Sequence, residues 1–168
     1  MVNRRDAIAG MTALPVMLAA SPGGAAPRAG PLTDRASYER YIAAFNARQM
    51  DGFTRFYAPD VRMYLGARPP IEGRQGIVAW YETAWRHIHE HCTVRRFIMD
   101  GSGVAAELET EFRAIADWPD FPSGPLLEGD RLVRIGFIHY DTQDGYFTRV
   151  ATALHRIVEQ PERWTPTR

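Results

Sequence analysis

The chain has 168 residues, 45% hydrophobic and 24% charged. That suits one folded domain with its own core and excludes a disordered chain, a collagen or a simple coiled coil. Its 20 basic residues balance its 20 acidic ones, so nothing electrostatic argues for a nucleic-acid partner, and the lone Cys92 excludes an intramolecular disulfide or a multi-cysteine metal site.

The amino end opens with Arg4 and Arg5, continues through a mild apolar run over residues 7–20, and passes into a Pro/Gly/Ala stretch ending at Pro31. This charge, apolar, small-residue order is that of an export signal. The paired arginines followed by Asp6 look like a twin-arginine signal, with Ala7 where a bulkier residue is usual. The run is shorter than the roughly 20 apolar residues that span a bilayer, and no cysteine near it offers a lipid anchor. The expectation is export to a bacterial periplasm or beyond, with cleavage near Ala25 or Ala29 and no stable membrane anchor afterwards. Residues 1–31 are then signal and linker, 32–158 the domain, and 159–168 a loose tail.

Thr33 or Asp34 caps a first helix whose stripe is Tyr38, Tyr41, Ile42 and Phe45. A second short helix is predicted over 52–57, a strand over 61–65, and a Pro/Gly-rich loop over 66–73. The longest helix is predicted over 74–90, with Ile77, Tyr81, Ala84, Trp85 and Ile88 on one stripe and Trp80 on its shoulder. Strands follow over 93–99, 104–116, 131–141 and 146–158, the last two joined by the hairpin turn Thr142-Gln143-Asp144-Gly145. The 104–116 segment alternates sharply, with Val104, Leu108 and Phe112 on one face and Glu107, Glu109 and Glu111 on the other. This order predicts an α+β cone, a curved and mostly antiparallel sheet wrapped around the long helix, with two further helices on its amino-terminal side. Its open end is a natural small-molecule pocket.

The segments R-Y-I-A-A-F-N-A-R-Q-M-D-G-F-T-R-F-Y-A-P-D-V (40–61) and E-G-R-Q-G-I-V-A-W-Y (72–81) resemble the nuclear-transport-factor-two-like superfamily, and within it SnoaL-like and ketosteroid-isomerase-like proteins. The resemblance covers roughly residues 34–158 and implies the same cone. It places Tyr41 where ketosteroid isomerases hold the phenol that donates to a developing oxyanion, with Tyr57 and Tyr81 as its supporting tyrosines. It places Leu65, beside Tyr64, at the general-base aspartate and Phe137 near the second oxyanion donor. Thr152 stands near the last aspartate of the epoxide hydrolases of this fold, and Thr152 and His155 near the acid/base aspartate of SnoaL-type cyclases. It also implies a homodimer formed through the sheet.

By that resemblance, the parity of Ile135, Phe137, His139 and Asp141 faces the interior. His139, with Asp141, is then the candidate general base beside the Tyr41 electrophile. Tyr57, Tyr81, Trp80, Trp85, Leu65, Phe112, Phe137 and Thr152 are expected to form the substrate pocket. Glu107, Glu109 and Glu111 read either as cavity carboxylates or as a solvated outer face balanced by arginines such as Arg113 and Arg131. His87 and His91 would share a helical face, more in keeping with a helix's negative end than with a metal site. No metal or cofactor is expected. Trp118 and Phe121 on the long 117–129 loop read as a lid or as contacts to a partner copy. The function expected is that of a SnoaL-like protein binding a hydrophobic small molecule. Its chemistry would be cofactor-independent isomerisation, cyclisation or dehydration of a carbonyl or polyketide-like compound. The alternative is a non-catalytic ligand-binding or protein-interaction domain.

Overall fold

The computed structural model describes residues 30–164; the export-signal reading of residues 1–29 lies outside them. Helix α1 (Arg35–Asn46) starts at Asp34, whose carboxylate accepts from the Ser37 N–H at 2.8 Å while Ser37 Oγ accepts from the Asp34 N–H at 2.9 Å. This reciprocal cap fixes the helix start and turns Tyr38, Tyr41, Ile42 and Phe45 inward. Arg48, at a positive φ of 55°, reverses the chain into α2 (Met50–Thr54). That helix begins and ends earlier than the periodicity predicts, because Phe56 and Tyr57 are pulled onto the sheet and Tyr57 opens β1 (Tyr57–Leu65). The loop after β1 contributes a two-residue edge strand, β2 (Ile71–Glu72), paired back onto Arg62 and Met63.

Helix α3 (Gly73–His87) is the long helix, with Ile77, Tyr81 and Ala84 buried. It stops three residues short of the predicted end. Ile88 is extended, at φ −136° and ψ 150°, and the chain enters β3 (Ile88–Met99) without a loop. Strands β4 (Gly103–Ala114), β5 (Arg131–Gln143) and β6 (Tyr146–Glu159) complete a six-stranded sheet in the order β2-β1-β6-β5-β4-β3. The pairing is antiparallel except between β1 and β6, which run parallel, with Leu65 opposite Thr152. Register shifts interrupt β3–β4 between Val94 and Arg96 and β5–β6 between Ile135 and Gly136. Such irregularities increase local twist and bend, and the concave side that results packs on α1 and α3 through an aromatic core.

Strand β4 divides as its alternation predicts. Val104, Leu108 and Phe112 are buried, while the three glutamates face arginines: Glu107 pairs with Arg96 at 3.2 Å, Glu109 with Arg95, and Glu111 with Arg131 at 2.9 Å and with Arg113. The carboxylate stripe therefore lies on the outer face. The 115–130 loop folds over one end of the cone, held by a bridge between Trp118 and Leu126, with both Trp118 and Phe121 buried. The tail does not run loose through Trp164. Its indole N–H donates to the Pro125 carbonyl at 2.9 Å, its ring rests on Gly124, and Arg163 pairs with Asp130. At the other end of the cone, the Gly30 N–H donates to the Asp144 carbonyl at 2.5 Å and the Leu32 N–H to the Gly145 carbonyl at 3.1 Å. A Cβ on Gly30 would lie 2.2 Å from that Gly145 oxygen, so the approach of strap to hairpin needs glycine.

Candidate active site

The concave face encloses two adjoining chambers of about 90 and 260 Å³. Leu65, Tyr81, Glu90, Arg134, Thr152 and Leu154 border both, so one ligand can occupy them together. The inner chamber is closed by Tyr41, Phe45, Leu108 and Tyr140; the outer one by Trp80, Phe112, Trp118 and Phe121. The walls are apolar with a few convergent polar groups, as small-molecule sites usually are.

Glu90 is the acidic group bordering these chambers, and it is there because α3 stops at His87. With Ile88 as the first strand residue, even positions of β3 turn inward, and Ile88, Glu90 and Cys92 enter the concave face in register with Ala114, Phe112 and Thr110. Burial pushes the Glu90 carboxyl up to about 7, against smaller downward pulls from Arg134 and Arg48. A carboxyl poised there exchanges protons readily near neutral pH.

Arg134 stands two strands away on β5, opposite Thr110. Two strand spacings and a two-residue offset along the strand put the backbones of Glu90 and Arg134 roughly 12 Å apart. No ion pair joins the two side chains, although each feels the other's charge. The Arg134 guanidinium lies over the Phe112 ring, 4.7 Å from its centroid, and Nη1 donates to Ser123 Oγ at 2.8 Å. Phe112 thus forms the floor between a carboxyl and a guanidinium.

The three tyrosines do not form one network. Tyr41 borders the inner chamber, and its hydroxyl meets that of Tyr57 at 2.7 Å. Tyr57 is fully buried behind it and does not reach the chamber. Tyr81 borders both chambers with no side-chain hydrogen bond among the described residues. The resemblance implies that Tyr57 and Tyr81 both support the Tyr41 phenol, an arrangement that would lower its pKa. Desolvation instead pushes all three well above their ordinary value, which keeps them neutral and able to donate. Leu65, Trp80, Phe112, Phe137 and Thr152 border the chambers, Phe137 at the rim. Trp85 does not; it packs beneath on Phe45, Phe53 and the Arg48 guanidinium.

His139 is placed otherwise than the sequence reading expects. The inward parity of β5 is Leu132, Arg134, Ile138 and Tyr140; His139 faces outward with 56% of its side chain exposed. It does lie beside Asp141, Nδ1 to Oδ1 at 3.2 Å, with Arg149 at 3.6 Å from the other carboxylate oxygen. That pair sits on the opposite side of the sheet from Tyr41, so imidazole and phenol do not share a hollow. His89 and His91 likewise lie exposed on β3 and share no helical face with His87, whose Nδ1 is 2.8 Å from the Asp117 carbonyl. Cys92 is buried beside Thr110, its thiol pushed up by desolvation and far from nucleophilic.

Comparisons with known proteins agree with this architecture. A candidate polyketide cyclase from Xanthomonas campestris pv. campestris superposes with a TM-score of 0.58 at 24% identity, over 68% of this chain and 84% of its own. A candidate ketosteroid isomerase from Kribbella flavida gives 0.54 at 24% identity, over 76% and 81%. An LEH-like epoxide hydrolase from M. tuberculosis gives 0.56 at 13% identity, over 70% and 78%. At these identities the likeness establishes the fold alone, and the three names describe different reactions. No curated protein matches the chain in sequence. The SnoaL-like domain family matches residues 38–157, which is nearly every residue of the cone. The chain is a member of the SnoaL-like domain family.

Proposed function

We propose that the protein is a SnoaL-like enzyme that moves a proton on a hydrophobic carbonyl compound without a cofactor, in an isomerisation, cyclisation or dehydration. The observation that carries this reading is the place of Glu90, a carboxyl at the junction of two apolar chambers, where burial pushes it up to about 7. As carboxylate, Glu90 takes the proton from the carbon beside the substrate carbonyl. The electron pair moves onto the carbonyl oxygen, which Tyr81 and Tyr41 hydrogen-bond as neutral donors. The Glu90 carboxylic acid then returns the proton to another carbon, or to a departing hydroxyl. Tyr57 holds Tyr41 in place. Glu90 takes the role the sequence reading gives to His139 and Asp141.

The test is turnover of a panel of hydrophobic carbonyl compounds, followed from pH 5 to 9. The expected rate rises with a midpoint near 7 and falls by a factor on the order of 10²–10⁴ in Glu90→Gln, the usual worth of a general base. Glu90→Gln retaining full turnover removes the reading. Saturable binding without turnover in the wild type leaves the non-catalytic alternative.

The outer face supports a second part of the proposal. Ile98 is 70% exposed and Phe137 48%, and they flank a shallow apolar depression floored by Ala105, Ala151 and Ala153. Around it lie the paired glutamates and arginines of β3 and β4, a mixed-sign rim complementary to a copy of itself. We propose that a second copy of the chain covers this face. We also propose that residues 1–29 direct export, testable by the intact mass of protein recovered from the periplasm.

A further inference from the structure

We propose that Arg134 is the anchor for a carboxylate on the ligand, so that this cavity selects hydrophobic carboxylic acids, and in the acid–base reading above, on which this rests, hydrophobic keto acids. A guanidinium carries five N–H donors and stays charged in proteins. Among the described residues Arg134 has one hydrogen-bond partner, the neutral Ser123 Oγ on Nη1, and no carboxylate within ion-pairing distance. Nearly every other arginine facing the sheet's outer side is paired with a glutamate or aspartate, so carboxylates are not scarce in this fold. The one carboxyl that shares the cavity with Arg134, Glu90, makes no ion pair with it. Yet its neighbours are the apolar walls of a cavity, where an unpaired charge is expensive to keep.

The remaining donors have a defined geometry. With Nη1 held by Ser123, the Nε and Nη2 hydrogens form the free edge of the guanidinium, and that edge matches the two oxygens of a carboxylate. Phe112 beneath the guanidinium fixes its plane and provides a face for a ring attached to the acid. Trp80, Trp118 and Phe121 form the wall beyond. A ligand with its carboxylate on Arg134 lies over Phe112 with its far side towards Glu90, the in-register neighbour of Phe112. The Ser123 bond links the same guanidinium to the covering loop, so an anion seated there meets a group that also holds the loop down.

A protonic consequence follows. Arg134 is one of the positive charges pulling the Glu90 carboxyl down. An anion on Arg134 cancels that pull and adds a negative charge nearby, so Glu90 binds its proton more tightly when the ligand is seated. Above pH 7 the anion and a proton therefore enter together.

The test uses 2-naphthoate and its uncharged amide, 2-naphthamide, titrated into the full chain by calorimetry at pH 7.5 in two buffers of different ionisation enthalpy. Naphthoate is expected to bind at least about tenfold tighter than the amide, the worth of a charge-assisted hydrogen-bond pair, with net proton uptake. Arg134→Gln is expected to abolish that preference while leaving amide affinity within about threefold. Equal affinity of the two compounds in the wild type, no saturation by naphthoate at millimolar concentration, or an unchanged preference in Arg134→Gln each overturns the proposal. The wild-type comparison decides by itself if the variant does not fold. Glu90→Gln should keep the naphthoate preference and lose the proton uptake. Because these measurements involve no turnover, an anion site can stand where the acid–base reading fails, and the reverse is equally visible.

Discussion

Glu90 makes the molecule's stability depend on pH in a direction opposite to that of most carboxylates. Its folded pKa, about 7, lies above the ordinary 4.5. Below pH 4.5 both folded and unfolded chains hold the proton, and the group contributes nothing. Between 4.5 and 7 the unfolded chain releases it while the folded chain keeps it, so stability falls as pH rises, by up to about 3 kcal/mol once pH exceeds 7. Glu90→Gln should therefore raise the urea midpoint at pH 8, leave it nearly unchanged at pH 4, and flatten the decline between. Equal shifts at both pH values would mean that the carboxyl is not desolvated. The same residue shows what the sequence hides. Ile88 fits a helical stripe after Ala84 and also begins a period of two through Glu90 and Cys92, and periodicity cannot choose between them. His139 and Arg134 pose the matching problem on β5. Val133 and Ile135 are buried on one parity, Leu132 and Tyr140 on the other, so both faces are apolar and the pattern leaves the inward one unmarked.

At the scale of elements, the strongly patterned pieces are the legible ones. The Asp34 cap, the stripe of α1, the alternation of β4 and the β5–β6 turn are read from residues directly and occur as predicted, to within a residue or two. What escapes is the boundary where one element runs into another without a breaker, as at α2–β1 and α3–β3; no Gly or Pro marks the His87–Ile88 step. The covering loop is the other case. Its aromatic residues announce that it packs on something, but its clasp comes from the carboxyl-terminal segment, some 40 residues away in sequence, through Trp164 on Gly124 and Pro125. Removing that clasp should loosen the cover and leave the sheet intact. Trp164→Ala is expected to speed amide exchange across residues 118–129 while protection in β4 and β5 stays unchanged. Exchange rising uniformly through the sheet would show that Trp164 supports the whole domain.

For the whole molecule, the class of fold is legible because helices dominate the first half of the domain and four long strands follow, joined as β3–β4 and β5–β6 hairpins by tight turns. The proposed second copy is tested on the outer face. Ile98→Asp places a charge in the middle of the exposed apolar area, away from both interior chambers. It should halve the mass found by sedimentation equilibrium while leaving ligand binding in place; an unchanged mass would assign that area another role. The parallel seam between β1 and β6 has a bearing on how the chain acquires its shape. Tyr64 and Leu65 must find Ala151 and Thr152, 87 residues further along, so the pairing cannot form until β6 has been made. Contacts this distant in sequence are slow to form. A newborn chain therefore leaves its greasy interior open to the surroundings until β6 arrives, the stage at which exposed apolar surface invites aggregation.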